Sequence, residues 1–248
     1  MKKIVVYFLS LSLWFVADFA KAEDSANKII LKLDRKMTPT SAVGYRKLIN
    51  IEPDKNKKEF IFYWFRREHT KTAILFLSPA SDKGRTTLRL GDNMWLYVPS
   101  VGKPVRIASL QSVVGGVFNN ADIMALDFSE EYDSSFIEKK TNEYIIKMKA
   151  KKRTVAYDTC KIWVDRKLLL PKKLECYTES GILVKTLYFK SVKNFGKGIV
   201  RPSVIETDSP MYAGYKSIML IKTIRHITVP DEYFTLNYMS KLEDVERK

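Results

Sequence analysis

The sequence predicts a mainly β protein, built on a single antiparallel sheet of about eleven strands with few helices. Three observations lead to this fold class. Short segments rich in β-branched and aromatic residues recur along the chain, turn-forming residues separate them at short intervals, and helical spacing is clear only near the N-terminus. Strands joined in this way by tight turns are typical of an antiparallel meander.

Residues 1–22 have the features of a secretory signal peptide. Lys2-Lys3 precedes an apolar run, residues 4–16, that is short for a membrane span, and Ala20-Lys21-Ala22 offers a small-x-small cleavage pattern. The alternative is an uncleaved membrane anchor. We expect a cleaved leader, because polar Glu23-Asp24-Ser25 follows at once. One exported domain, residues 23–248, should follow, since later apolar runs are too short to span a bilayer.

The first expected element after the leader is an amphipathic helix over residues 23–36, with Ile29, Ile30 and Leu33 on its apolar face. From residue 44 the pattern changes to strands separated by Pro, Gly and Asp-rich turns. The first set of expected strands covers residues 44–51, 59–67, 72–78, 85–90, 93–98 and 103–108.

A long apolar segment, residues 109–128, interrupts the meander and contains Gly115 and Gly116. Long connections within a β domain are usually functional loops, and glycine permits backbone angles closed to other residues. We expect a mobile lid in which Gly115, Gly116, Val117 and Phe118 form the moving part. A fixed plug or a disordered loop is the alternative.

Strands resume after this segment and end at a C-terminal tail that leaves the sheet at Pro230. The second set of expected strands covers residues 135–140, 143–149, 155–164, 172–178, 183–192, 200–207 and 217–228. Many strands in both sets are apolar on both faces, whereas a solvated antiparallel sheet alternates apolar with polar residues. Such strands indicate either a sandwich core or a curved sheet with a covered or ligand-lined concave side.

The two cysteines fall on neighbouring expected strands joined by a turn over residues 165–171. The expected register pairs Val164 with Lys172 and sets Cys160 opposite Cys176. Cross-strand partners have Cβ atoms close enough for a disulfide, and an even cysteine count in an exported chain favours oxidation. We expect a structural Cys160–Cys176 disulfide, with two buried reduced cysteines as the alternative.

The sequence contains none of the motifs that indicate catalysis. The two histidines, His69 and His226, lack metal-ligand spacing, and no nucleophile elbow, P-loop or dinucleotide fingerprint is present. Asp127, Glu130 and Glu131 are expected to be surface charge. We therefore expect no catalytic residues, no metal and no cofactor.

The chain is strongly basic, with 43 Lys and Arg against 28 Asp and Glu and a formal charge of +15. Such a balance is compatible with nucleic acid, anionic lipid headgroups or simple solvation. Export argues against nucleic acid as the partner. We expect an anionic membrane surface, with a solvated basic face as the alternative.

Short blocks in a fixed order are similar to the outer-membrane lipoprotein-sorting family, the LolA/LolB-like periplasmic carriers. The most specific block is Gly91-Asp92, Trp95, Tyr97 and Pro99, and the others are Asp127-Phe128-Ser129, Trp163-Val164-Asp165, Leu170-Pro171-Lys172-Lys173 and Pro230-Asp231-Glu232. The cysteine pair and the Gly115-Gly116-Val117-Phe118 segment depart from the family pattern.

The resemblance implies an unclosed, curved antiparallel β-barrel with helices over its concave side and an apolar cavity between them. It also implies a periplasmic carrier of lipid or lipoprotein acyl chains that meets an inner-membrane transporter or an outer-membrane acceptor. An envelope sensor working with a membrane-protein partner is the alternative, and a lipid-modifying enzyme is disfavoured. The expected cavity wall consists of Phe62, Trp64, Leu75, Leu77, Trp95 and Tyr97.

Overall fold

The computed structural model describes residues 24–124 and 127–246, so the predicted signal peptide lies outside the described residues. These residues form one antiparallel sheet of fourteen strands and a few short helices, which confirms the predicted fold class. The strands are β1 (Ser41–Ile51), β2 (Lys57–Arg67), β3 (Lys71–Ser78), β4 (Thr86–Leu90), β5 (Asn93–Tyr97), β6 (Val105–Ile107), β7 (Tyr132–Lys139), β8 (Glu143–Ala150), β9 (Thr159–Asp165), β10 (Pro171–Tyr177), β11 (Leu183–Asn194), β12 (Val200–Asp208), β13 (Lys216–Ile221) and β14 (Arg225–His226). The helices are α1 (Ala26–Met37), α2 (Asn120–Ile123), α3 (Phe128–Glu131) and α4 (Leu242–Glu246), with 3₁₀ helices at Asp231–Phe234 and Leu236–Lys241.

The structure has one strand more than the thirteen ranges predicted above, because the last of them, 217–228, is two strands, and both numbers exceed the initial value of about eleven. The backbone N–H groups of Lys222 and Thr223 both donate to the carbonyl of Tyr45, at 2.9 and 3.3 Å. Because both donors share one acceptor, the regular hydrogen bonding to β1 is interrupted between β13 and β14. The strand β14 then pairs separately with the start of β1.

The sheet consists of two meanders joined at their first and last strands. Strands β1 to β6 follow one another on one side, strands β7 to β13 follow one another on the other side, and β1 pairs with β13 in the middle. The two edges are β6 and β7, which do not pair, so the barrel is unclosed. The chain therefore has to travel from one edge of the sheet to the other between these two strands.

Helix α1 forms where the sequence predicts it. The side chain of Ser25 caps its first turn by accepting from the backbone N–H of Lys28 at 3.3 Å, and Arg35 and Lys36 occupy the last turn. Its buried stripe packs into the main apolar core, which also contains Phe62 and Trp64. We call the sheet face that carries Phe62 and Trp64 the inner face.

The opposite, outer face of the first strands has its own core. Tyr63, Phe65 and Leu75 pack there against Phe234 and Met239 of the C-terminal segment. The strand residues point alternately to the two cores, as the pleat requires. The described residues form a single sheet, so the prediction of a curved sheet with a covered concave side is confirmed and the sandwich core, which needs a second sheet, was wrong. The outer face of the first strands is apolar because the C-terminal segment covers it.

Candidate ligand cavity

A cavity of about 100 Å³ lies between the inner face of the sheet and the elements that cover it. Helices α1, α2 and α3 and the 156–157 turn contribute to its wall, together with strands from β1 and from the β7 to β13 half of the sheet. Most of the lining is apolar. The apolar lining residues are Met37, Ala121, Phe128, Tyr132, Ala156, Tyr157, Leu174, Leu187, Phe189, Ile205 and Met219.

The six residues expected to form the ligand-facing wall are not brought together by the fold. Phe62 and Trp64 belong to the inner core, but Leu75, Leu77, Trp95 and Tyr97 pack in the outer core against the C-terminal segment. None of the six lines the cavity. The candidate cavity is lined instead by the residues given above, most of which lie on strands of the second meander, and the six residues stay a prediction for the ligand-facing wall.

Strand register explains why the six residues are divided between the two faces of the sheet. Phe62 pairs with Phe76, and Trp64 pairs with Ile74, so the inner-face residues of β3 are Phe76 and Ile74. Leu75 lies between them and points outward. A one-residue difference in register reverses the face of every residue on a strand, and the sequence pattern of β3 is apolar at both sets of positions.

The segment expected to act as a lid is a tight turn that packs against the sheet. Gly115 has a φ of +75°, and Gly116 lies so close to the sheet that an added Cβ would be 2.1 Å from the side-chain oxygen of Asn50. Val117 and Phe118 are buried at 3% and 1% exposure. The chain packs against the sheet here while crossing from β6 to β7, which accounts for its length and its apolar composition.

Three polar side chains of the sheet hold this turn. Asn50 donates from Nδ2 to the carbonyl of Val114 at 3.2 Å, and the backbone N–H of Val117 donates to Ser217 Oγ at 2.9 Å. Lys185 donates from Nζ to the carbonyl of Val117 at 2.6 Å. These contacts come from β1, β13 and β11, so the turn is fastened across the middle of the sheet. Movement of this segment on ligand entry stays a prediction.

Asp127 is a buried ion-pair partner, so the expectation that it is surface charge was wrong. Its carboxylate lies 2.6 Å from Arg66 Nη2, with exposed side-chain fractions of 4% and 1%. His69 Nδ1 forms a hydrogen bond with the same carboxylate. A buried pair of this kind is costly to break, because removal of one partner leaves an uncompensated charge. Glu131 pairs in a similar way with Arg89, at 2.6 Å.

A second buried polar group joins α2 to the sheet. Lys185 Nζ donates to Asp122 at 2.7 Å, and the Tyr157 hydroxyl donates to the same side chain at 2.9 Å. Asn119 donates from Nδ2 to the Tyr157 hydroxyl at 2.8 Å and also caps α2. Burial raises the pKa of Tyr157, and the carboxylate of Asp122 raises it further. The hydroxyl therefore remains protonated at physiological pH.

Asp34 borders the cavity from α1 and is almost completely buried. Burial raises the pKa of its carboxyl to about 7, while the backbone N–H of Ser129 opposes the shift by donating to it at 2.7 Å. The negative charge of Asp127 raises the pKa further. Asp34 is therefore only partly ionised at neutral pH.

Two arginines of the cavity wall have no carboxylate partner among the described residues. Arg46 donates from Nη1 to the carbonyl of Ile123 at 3.2 Å, and its guanidinium carbon lies 4.4 Å from the ring centroid of Trp64. Arg201 donates to the carbonyls of Pro202 and Met37. Burial lowers the pKa of Arg46 and lowers that of Arg201 to about 10, and neighbouring positive charge adds to both shifts.

Sequence reasoning missed these two arginines, and a signal was present for Arg46 only. Arg46 is the one charged residue on a face of β1 that also carries Gly44 and Leu48, and a charge on a largely apolar strand face is unusual and indicates a specific role. Arg201 shares its face of β12 with Ser203 and Thr207, which gives no such signal. The pattern was hidden by the many other basic residues of the chain.

The cysteines lie opposite each other, as the hairpin register predicts. Cys160 pairs with Cys176, but Val164 pairs with Pro171 instead of Lys172, because β10 has an irregularity between Pro171 and Lys173. Both cysteines are fully buried free thiols in this structure. Burial raises the pKa of Cys176. The disulfide stays a prediction.

Residues 24–124 and 127–246 contain no cluster of three or more His, Cys, Asp or Glu side chains suited to a metal ion. Within the same ranges, no helix has both the length and the apolar character needed to cross a membrane.

An unclosed antiparallel sheet with helices and a small apolar cavity on one face defines the LolA-like class of proteins. A LolA superfamily protein from Nitrosomonas europaea superimposes with a TM-score of 0.80 at 25% identity, over 87% of this chain and 100% of that chain. A family model described as "Uncharacterized protein" matches residues 68–241, which is well over half of the sequence. The chain belongs to that family, and its fold is that of the LolA superfamily.

Two further solved structures share the fold. A DUF1329 family protein from Desulfovibrio piger has a TM-score of 0.77 and 21% identity, covering 86% of this chain and 97% of that chain. A domain from Vibrio parahaemolyticus, whose name refers to outer membrane lipoprotein sorting, has a TM-score of 0.75 and 17% identity, covering 87% and 98%. No match was found among the curated proteins.

Proposed function

We propose that this protein is a periplasmic carrier that binds lipid or lipoprotein acyl chains between the inner face of its sheet and the covering helices. The observation that carries the proposal is the mainly apolar cavity on the inner face of a LolA-like fold. Each buried CH₂ of an acyl chain contributes about 0.8 kcal/mol, so such a cavity can retain a chain without specific polar contacts.

The cavity has to enlarge before it can hold a full acyl chain. Its volume of about 100 Å³ is below the roughly 300–1,000 Å³ of typical ligand sites. The second meander forms a continuous sheet, whereas α1, the 109–124 segment and α3 reach the cavity as short covering elements. Under this proposal the covering elements move outward as the chain enters. The 109–124 segment is then a plug that yields, in place of an open flap.

A cavity-filling variant tests binding. We expect Ala156→Phe to lower the affinity for a fluorescent fatty acid at least about tenfold, because the added ring occupies space that the chain needs. Ala80→Phe adds the same ring at an exposed position and is the matched control. Thermal unfolding of both variants verifies that they are folded. Equal binding by a folded Ala156→Phe variant and the wild type would show that the chain does not enter this cavity.

Two measurements extend the test to the native ligand and to the covering segment. Native mass spectrometry of protein purified from an envelope fraction should reveal a bound lipid or acylated peptide, whereas a stable protein partner with an empty cavity would favour the sensor alternative.

Hydrogen exchange over residues 109–124 should increase on loading with a fatty acid if the segment is displaced. Unchanged protection with a bound fatty acid would show that the segment stays in place.

A further inference from the structure

We propose that the cavity selects an amphiphile with an anionic headgroup, a carboxylate or a phosphate, which Arg46 and Arg201 bind while the acyl chain lies among the apolar lining. The inference rests on the proposed function and narrows its ligand class.

Five basic side chains are buried among the described residues. Three of them have carboxylate partners: Arg66 pairs with Asp127, Arg89 with Glu131 and Lys185 with Asp122, at 2.6 to 2.7 Å. The remaining two are Arg46 and Arg201, each 3% exposed. Both line the cavity. The buried cations without a counter-ion are therefore found together at the candidate site.

Among the described residues, the hydrogen-bond and ring partners of the two guanidiniums are neutral. Arg46 has a carbonyl, a thioether sulfur and an indole ring as neighbours, and its Nη2 has no hydrogen-bond partner among the described residues. Arg201 donates to two backbone carbonyls. A guanidinium has five N–H donors arranged to bind carboxylate or phosphate oxygens in pairs. Donor capacity is thus left over at the cavity wall.

The carboxylates of the wall do not supply the missing charge. Asp122, Asp127 and Glu131 are engaged by Lys185, Arg66 and Arg89. Asp34 accepts the N–H of Ser129, and burial raises the pKa of its carboxyl to about 7, so Asp34 supplies at most part of a negative charge at neutral pH. A buried unpaired charge is strongly unfavourable. An anionic ligand group would remove this penalty, and a neutral one would not.

The test compares ligands that share one chain length and differ in the headgroup: laurate, dodecyl phosphate and the neutral monolaurin, each below its micelle concentration. Isothermal titration calorimetry measures their affinities for the wild type, Arg46→Gln, Arg201→Gln and Arg225→Gln. Arg225 is exposed on β14 and donates to Tyr63 on the outer side, so its variant controls for net charge. Inorganic phosphate is titrated alone to separate the free ion from the amphiphile.

We expect the wild type and Arg225→Gln to bind laurate or dodecyl phosphate about ten to a hundred times more tightly than monolaurin, as charge-assisted hydrogen bonds allow. In Arg46→Gln and Arg201→Gln the preference should fall at least about fivefold while monolaurin binding is kept. The tighter of the two anions identifies the headgroup. Thermal unfolding verifies that the variants fold, since removal of an unpaired buried charge should not destabilise them.

Contrary outcomes separate this inference from the proposed function. Equal affinity for all three amphiphiles, or an anion preference unchanged in both cavity variants, would overturn the anion site and leave the carrier proposal intact. Binding of inorganic phosphate as tight as that of dodecyl phosphate would overturn the amphiphile assignment. Absence of binding by all three amphiphiles would contradict the carrier proposal itself.

Discussion

Asp34 should make this protein less stable as the pH rises from about 4 to about 7. Its pKa rises from an ordinary value of 3.8 to about 7 in the folded state, mainly because the carboxyl is buried on α1. The folded state thus holds a proton that the unfolded state has already released in this range. Stability from this group is fully present below the unfolded pKa and is lost as the pH rises toward the folded pKa.

The magnitude follows from the size of the shift. One pKa unit corresponds to about 1.4 kcal/mol, so a shift of roughly three units amounts to at most about 4 kcal/mol. Asp34→Asn removes the titration, and its side-chain oxygen can still accept the N–H of Ser129, which lies 2.7 Å from Oδ2 in the wild type. The variant should therefore match the wild type near pH 4 and exceed its stability by up to about 4 kcal/mol above pH 7.

Urea unfolding of wild type and variant at several pH values between 4 and 8 measures this difference. Because other groups titrate in both proteins, the quantity to follow is the variant minus the wild type. Asp133→Asn, at an exposed position on β7, is the control and should show no such trend. A difference independent of pH, or a less stable Asp34→Asn variant at pH 8, would refute the buried-carboxyl reasoning.

Three other predictions concern packing, oxidation and the membrane. Gly116→Ala should cost about 1–3 kcal/mol, since its Cβ would meet the Asn50 side chain. In an Asn50→Ala background the cost should fall in a double-mutant cycle, and full additivity would exclude the clash. Cys160 and Cys176 should be joined when protein from the periplasm is mapped without reduction, and two freely alkylated thiols would contradict this. Binding to liposomes should require anionic lipid and should weaken as salt is added, because the Debye length falls to about 8 Å at physiological ionic strength and the attraction is screened beyond it. Binding that depends on neither anionic lipid nor salt concentration would indicate that the basic residues only solvate the protein surface.

The apolar periodicity of the sequence predicts α1 and nearly every strand within a few residues. It also predicts the Cys160–Cys176 pairing, because a short turn sets the register of neighbouring strands. The family resemblance, carried by short ordered blocks such as Gly91-Asp92, adds the unclosed barrel. All of these features depend on local chain geometry or on linear order.

The cavity and its charges could not be predicted in the same way. Trp95 and Tyr97 lie on a strand that is apolar on both faces, so periodicity does not distinguish the inner from the outer core. The C-terminal segment covers their side only after the chain has folded. Likewise Arg46 and Arg201 are more than a hundred residues apart in the sequence and come to one cavity only in the folded sheet. The local sequence pattern thus determined the helices and strands. The pairing of β1 with β13 and the packing of the covering segments decided which residues face the cavity, because burial and charge compensation depend on contacts between distant parts of the chain.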